Sequence, residues 1–156
     1  MEITFKKENT GNTVTCKRPD GTSTWMAAET FMVAHDLTHY VIETTLNAQQ
    51  GFYGLLAQGI DITDFEKRQK ISPASIPPEG IRMEILVGLF LTERNDRRPL
   101  VDFNATYRET CEKFELANES LPEPLLQSMR KEIDEIIKKW NNLPIGSCLV
   151  FNFPPQ

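Results

Sequence analysis

The hydrophobic residues of this chain repeat with two different periods, and this change of period constrains the fold most strongly. Near both ends, apolar and polar residues alternate, as in strands with one buried face. Between the ends, apolar residues recur every three or four positions, as in helices. Because the helices are grouped between the strands, we expect an α+β protein. Its small antiparallel sheet, formed by an N-terminal meander and a C-terminal strand, should pack against four or five helices.

The N-terminal meander is predicted over residues 2–26, where turn-forming residues at positions 9–12 and 19–21 separate three short strands. The C-terminal strand is predicted over residues 146–153. Its two faces carry Leu149, Phe151 and Phe153 on one side and Cys148 and Val150 on the other. We expect this last strand to return to the N-terminal hairpin.

The middle of the chain contains five helical patterns. The first begins between Thr30 and His35 and runs to about Ala48, and the second is short, at residues 52–58. The remaining three cover residues 81–93, 102–117 and 120–140. In the helical pattern at 102–117, the stripe expected to face the core comprises Phe103, Tyr107, Cys111 and Phe114.

Several local details of these elements can also be predicted. Residues 81–93 are apolar on nearly all sides, which indicates a central helix, with a buried strand as the alternative. Ser120 and Glu123 have the spacing of a capping box, with Pro122 in the first turn of the helix. Residues 61–65 fit a turn or a short strand. Residues 67–80 are rich in proline and should form an exposed, semi-rigid loop, a candidate lid.

Length and charge restrict the functional classes. A chain of 156 residues suits one domain over 1–156, and the net charge of -5 argues against nucleic acid or anionic membranes as partners. The clusters at positions 67–70, 94–98 and 130–131 are interpreted as solvated faces. The longest apolar run, residues 85–91, is far short of the ~20 residues of a membrane span. Three cysteines without a C-x-x-C pair and no signal-peptide pattern indicate reduced thiols in the cytoplasm.

Both histidines of the chain lie in His35-Asp36-Leu37-Thr38-His39, which is followed by Glu43. Residues four apart on a helix project from one face, ~6 Å apart along the axis, so two imidazoles can chelate one divalent metal ion. His35 and His39 are therefore predicted ligands. Glu43 lies ~12 Å along the axis from His35, so we expect it to accept a hydrogen bond from His39 instead of joining both at the ion.

A third ligand must come from elsewhere in the chain. Glu84 is the first candidate, because a carboxylate on a nearly all-apolar helix would be costly to bury without a partner. Gly88, one turn later, would permit close approach. The alternatives are Asp61, Asp64, Glu66 and Glu93. Paired imidazoles favour Zn²⁺ as the ion, with Mn, Fe or Ni as alternatives.

The segment H-D-L-T-H resembles the H-E-x-x-H motif of zincin metallopeptidases. That resemblance implies His35 and His39 as metal ligands and Asp36, one methylene shorter than Glu, as general base. It also implies a glutamate ligand downstream, among Glu66, Glu79 and Glu84. Together with the N-terminal hairpin and residues 53–57, the histidine segment resembles a group of small uncharacterised bacterial proteins, which implies no activity.

Two functional hypotheses follow. In the first, the protein binds a divalent metal ion through His35 and His39, as a metal-dependent hydrolase of unknown substrate or another metalloprotein. Asp36 or Glu43 would then handle protons. In the second, it is a non-catalytic interaction or regulatory module in which His35, His39 and Glu43 brace the helix. The sequence identifies neither a substrate nor an oligomeric state.

Overall fold

Both ends of the chain contribute strands to one antiparallel sheet. The structure is a computed structural model that describes residues 1–65, 76–117 and 119–154. The sheet contains β1 (Glu2–Glu8), β2 (Gly11–Lys17), β3 (Ser23–Ala28) and β4 (Cys148–Asn152), in the order β3-β2-β1-β4. All neighbouring pairs are antiparallel. The α+β class is confirmed, and so is the pairing of the last strand with the N-terminal hairpin.

The helices cover one face of this sheet. They are α1 (Thr30–Leu46), α2 (Phe52–Ala57), α3 (Pro78–Asp96), α4 (Phe103–Lys113) and α5 (Glu123–Asn141). The covered face carries the buried side chains of Ile3, Phe5, Val14 and Cys16. The opposite face leaves Trp25 and Val150 exposed. Helix α1 is central, since it contacts β2, β3, α2, α3 and α5.

Two basic residues, Lys7 in β1 and Arg18 directly after β2, hold the ends of helices against the sheet. Lys7 donates from Nζ to the carbonyl oxygens of Trp140 and Asn141, at 3.1 and 3.0 Å, and so satisfies carbonyls at the end of α5. Arg18 donates to the carbonyl oxygens of Leu56 and Ile60, both at 2.6 Å. These bonds hold α2 and the segment after it against the β2–β3 turn, which fixes α2 beside α1.

The start of α5 differs from the predicted capping box. Pro122 is the N-cap residue, Glu123 is the first helical residue, and the side chain of Ser120 does not cap the helix. A helix starting after Ser120 would place the Pro124 ring against the Ser120 carbonyl, four residues earlier, and this clash prevents the helix from beginning there. Glu123 instead accepts hydrogen bonds from Gln127 and Arg130.

The middle of the chain also requires corrections. Residues 62–65 are helical, because the Asp61 side chain accepts a hydrogen bond from Thr63 N at 2.9 Å and initiates a helical turn. The predicted loop at 67–80 ends earlier, because α3 begins at Pro78, a residue suited to a first helical turn. Positions 66–75, including the candidate lid, lie outside the described residues. Helix α3 is not buried all round, since Glu84 and Gly88 are exposed along one stripe.

Helix α4 ends earlier than predicted. Phe103, Tyr107 and Cys111 are buried as expected, but Phe114 is exposed. Glu115 has a φ of 56°, which turns the chain out of the helix and removes Phe114 from the buried stripe. The three cysteines are free thiols. Among the described residues, none of the helices combines the length and the hydropathy that a membrane span requires.

Candidate metal centre

His35, His39 and Glu43 lie on one face of α1, and the packing of α3 against α1 adds Glu84. Nε2 of His35 is 3.5 Å from one carboxylate oxygen of Glu84, and Nε2 of His39 is 3.3 Å from the other. The potential ligand atoms of His35, His39 and Glu84 all lie within 4.8 Å of one another. The structure therefore brings together three residues close enough to bind one metal ion.

These separations agree with the dimensions of a metal site. Two ligand atoms about 2.1 Å from a tetrahedral zinc ion are ~3.4 Å apart, close to the distances between Glu84 and the imidazoles. Burial is graded across the group: the side chain of His39 is 1% exposed, that of His35 24% and that of Glu84 47%. An ion held here would be shielded on the His39 side and reachable by solvent on the Glu84 side.

The carboxylate of Glu43 is fully buried behind His39. Oε1 accepts hydrogen bonds from His39 Nδ1 at 2.9 Å and from Phe52 N at 2.7 Å. Oε2 accepts from Tyr53 N at 2.9 Å and from Gly54 N at 3.3 Å. Glu43 thus accepts the expected hydrogen bond from His39, and it also satisfies the first N–H groups of α2. With both oxygens occupied, it is placed to orient His39.

Close approach of α2 to Glu43 requires a glycine at position 51. A Cβ atom built on Gly51 would lie closer to Cδ of Glu43 than any normal contact allows. Glu79 holds the same segment from the other side, because its Oε2 accepts hydrogen bonds from the backbone N–H groups of Gln49 and Gln50. Neither contact was predicted from the sequence, although Gly51 directly before an aromatic pair was a usable signal.

The hydrogen bond to Glu43 determines how His39 presents its other ring nitrogen. A carboxylate can only accept, so Nδ1 of His39 carries the proton, and in the neutral ring Nε2 has a free lone pair. Nε2 is buried and makes no hydrogen bond within the described chain. Its 3.3 Å separation from Glu84 is within ion-pair distance, but hydrogen-bond geometry is not met. A buried nitrogen without a partner between two possible ligands suits a metal ion.

In the metal-free protein, protons on the two histidines balance the negative charges of the neighbouring carboxylates. Burial alone would lower the pKa of His39, but the hydrogen bond to Glu43 and the negative charges of Glu43 and Glu84 outweigh it and raise the pKa to about 10. The pKa of His35 is also raised, because Asp36 and Glu84 outweigh desolvation. Desolvation would raise the pKa of Glu84, but the two imidazoles hold it well below its usual range. A metal ion would therefore displace a proton from Nε2 of His39.

Asp36 lies on the far side of His35 from Glu84. Its Oδ1 is 3.4 Å from Nδ1 of His35, whereas Nε2 of the same ring faces Glu84. Asp36 is buried, and its Oδ2 makes no hydrogen bond to any described residue. In this position Asp36 is better placed to orient His35 than to contact a water molecule on a bound metal ion. The general-base role that the zincin resemblance implies for Asp36 stays a prediction.

The other acidic candidates lie outside this group. Glu93 is buried and paired with Arg130, and Glu79 holds the 49–50 backbone. Asp61 accepts hydrogen bonds from Thr63, and Asp61 and Asp64 are not among the described residues grouped near the histidines. Glu66 lies outside the described part of the chain. The close approach expected at Gly88 is wrong, because a Cβ there would meet nothing within 4 Å.

Comparisons with known proteins assign no family. No protein-family model, curated protein or solved structure matches the chain. The function must therefore be argued from the residues of the site.

The contact between Gly51 and Glu43 can be tested by adding one methyl group. Gly51→Ala should lower the free energy of unfolding by roughly 1–3 kcal/mol, because the new Cβ displaces the carboxylate and breaks its hydrogen bonds. Gly88→Ala is the matched control, where open space and a helical position should raise stability by roughly 0.5–1 kcal/mol. Urea denaturation measures both. Equal effects of the two substitutions would contradict the assignment.

The raised pKa of His39 predicts a pH dependence for the metal-free protein. The folded state holds a proton that the unfolded state releases near pH 6.5, so this stabilisation is complete below pH 6.5 and is lost as pH rises toward about 10. Stability measured by urea denaturation in chelator should therefore fall between pH 6.5 and 8. Above about pH 8.5 the buried Cys16, whose pKa is raised to about 12, adds a decline of the same sign. In His39→Gln, the slope between pH 6.5 and 8 should flatten; an unchanged slope would contradict the prediction.

Proposed function

We propose that the protein binds one divalent transition-metal ion through Nε2 of His35, Nε2 of His39 and a carboxylate oxygen of Glu84. The buried Nε2 of His39, without a hydrogen-bond partner among the described residues, is the observation that carries this proposal. The separations of 3.3 and 3.5 Å to Glu84 support it, because they suit ligands that share one ion.

The ligand types restrict which ion binds. Two imidazoles with one carboxylate form a set that zinc hydrolases use, and Mn²⁺, Fe²⁺ and Ni²⁺ also accept it. We place Zn²⁺ first. Glu43 fixes the ring of His39 through Nδ1, and Asp36 lies beside Nδ1 of His35, so both imidazoles have an orienting carboxylate next to the nitrogen that does not ligate.

The exposure of Glu84 supports a catalytic role over a purely structural one, because structural zinc sites are closed by four protein ligands. When bound, the metal would supply a Lewis acid and a water molecule of lowered pKa, the chemistry of a metal-dependent hydrolase. The chain's contribution is to orient His39 through Glu43, to shield one side of the ion and to leave the Glu84 side open to a small-molecule or peptide substrate.

The second candidate is a non-catalytic interaction or regulatory module in which the same residues brace α1. The raised pKa of His39 supports it, because a protonated His39 between Glu43 and Glu84 forms an ion network that needs no metal. Metal binding separates the two proposals.

Protein prepared without a polyhistidine tag should bind one equivalent of Zn²⁺, Mn²⁺, Fe²⁺ or Ni²⁺ per chain in the micromolar range or tighter. Glu84→Gln should weaken binding more than Glu43→Gln, whose loss should be roughly 10- to 100-fold, the usual cost of removing a group that orients a metal ligand. Glu43→Gln should also lower metal-free stability, because an amide cannot replace all the accepted bonds. Titration calorimetry and elemental analysis measure binding.

The matched control for this experiment is Glu109→Gln, a change of the same chemistry at an exposed position of α4. It should leave affinity unchanged. Failure of the wild-type protein to bind any of the four ions at neutral pH would refute the metal site. If Glu43→Gln abolished binding while Glu84→Gln left it intact, Glu43 would be the ligand and the assignment would be reversed.

A hydrolase should accelerate cleavage of a simple ester, phosphoester or amide. We expect metal-loaded protein to hydrolyse at least one of p-nitrophenyl acetate, p-nitrophenyl phosphate and a peptide p-nitroanilide. The rate should fall about 100-fold or more in Glu84→Gln, because the metal is lost. Absorbance of the released chromophore measures the rate. Rates equal to those of the free ion for all three would favour the non-catalytic module.

A further inference from the structure

A second candidate site lies near the other end of α3. There, α3, the segment after it and α5 border an open cleft of about 640 Å³, within the size range of small-molecule sites. Arg94, Arg97, Arg98 and Arg130 all line it, in a protein whose net charge is -5. Glu84 and Arg94 are ~15 Å apart along the helix axis, so the cleft is separate from the candidate metal centre.

One of these arginines is already neutralised. Arg130 donates from Nε and Nη2 to both carboxylate oxygens of Glu93, at 2.8 and 3.0 Å, and from Nη1 to Glu123 at 3.0 Å. Glu93 also accepts a hydrogen bond from Leu100 N, which fixes the chain after α3. This buried pair is structural, because all three donor nitrogens of Arg130 have protein partners.

The other three arginines keep unused donors. The side chains of Arg97 and Arg98 are exposed and form no hydrogen bond or ion pair with the described parts of the chain. Arg94 is 3.5 Å from Asp134, but its Nε makes no hydrogen bond to a described residue. Two carboxylates line the cleft, Glu93 and Asp134, and Glu93 is already bound by Arg130. Asp134 alone is left to balance the other three guanidinium groups. The cleft has an excess of positive charge and several N–H donors without acceptors.

We infer that this cleft binds a small phosphomonoester. Guanidinium groups match phosphate oxygens in both geometry and charge, and two or three of them suit a dianion better than a monovalent carboxylate. The cleft volume exceeds that of phosphate alone, and Pro99 beside the arginine side chains offers an apolar wall for an organic group. The alternative is that these arginines only complement the dipole of α3, as basic residues near a helix C-terminus do.

Binding should be measured by nuclear magnetic resonance titration of the full chain, with metal removed on a chelating resin. The probes are inorganic phosphate and phenyl phosphate. Both should shift the same cleft resonances, and phenyl phosphate should bind more tightly because the cleft also accepts its ring. Wild type and Glu84→Gln should behave alike, which separates this site from the metal centre. Heparin serves as a polyanion control. The inference would be overturned if neither probe gave saturable shifts at millimolar concentration, or if heparin shifted the cleft resonances and the two probes did not.

Substitutions of cleft residues test whether each charged side chain strengthens or weakens the binding of phenyl phosphate. Arg97→Ala and Arg98→Ala should each weaken phenyl phosphate binding by roughly 10-fold, the scale of one charge-assisted hydrogen bond. Asp134→Asn should strengthen binding, because it removes the carboxylate that competes for Arg94. Arg108→Ala, at an exposed position of α4 outside the cleft, is the matched control and should change nothing. Equal weakening by Arg97→Ala and Arg108→Ala would overturn the inference, since attraction would then be nonspecific.

Discussion

The buried carboxylate of Glu43 is the group on which the rest of the site depends. An ionised carboxylate without partners would be very costly in this interior, yet Glu43 is fully buried. Its cost is offset by hydrogen bonds from His39 and from the first N–H groups of α2. The same contacts place α2, require glycine at position 51 and fix the proton of His39 on Nδ1. Fold and site are therefore stabilised by one set of interactions.

His39 lies between two carboxylates with different surroundings. Glu43 is enclosed and occupied by hydrogen bonds, whereas Glu84 is about half exposed and lies near Nε2 of both histidines without hydrogen-bond geometry. In the metal-free protein a proton on His39 balances this negative charge. A metal ion would occupy the same place and release that proton. Proton and metal ion therefore compete for Nε2 of His39, the ring nitrogen that lies near Glu84.

Helix α3 supplies residues to both candidate sites. Glu84 faces α1 and the histidines, while Arg94, Arg97 and Arg98 line the cleft against α5. Between these positions α3 contributes buried apolar residues such as Leu86, Val87 and Phe90 to the core. The Glu93–Arg130 pair joins α3 to α5 beside the cleft. A single well-packed helix thus keeps apart two candidate sites of opposite charge preference.

The sequence by itself determined what helix and strand geometry fix locally. Alternation and helical period predicted the sheet and helices, and spacing of four predicted the hydrogen bond between His39 and Glu43, because neighbours on one helix need no tertiary contact to meet. Ser120 failed as a cap because Pro124 excluded the helix start that its spacing required. The approach of Glu84 to the histidines was decided by the packing of α1 on α3, and Gly88, expected to allow it, faces open space. The capping of α2 by Glu43 and the arginine cleft also join residues distant in sequence, and local periodicity carries no information on how separate elements pack.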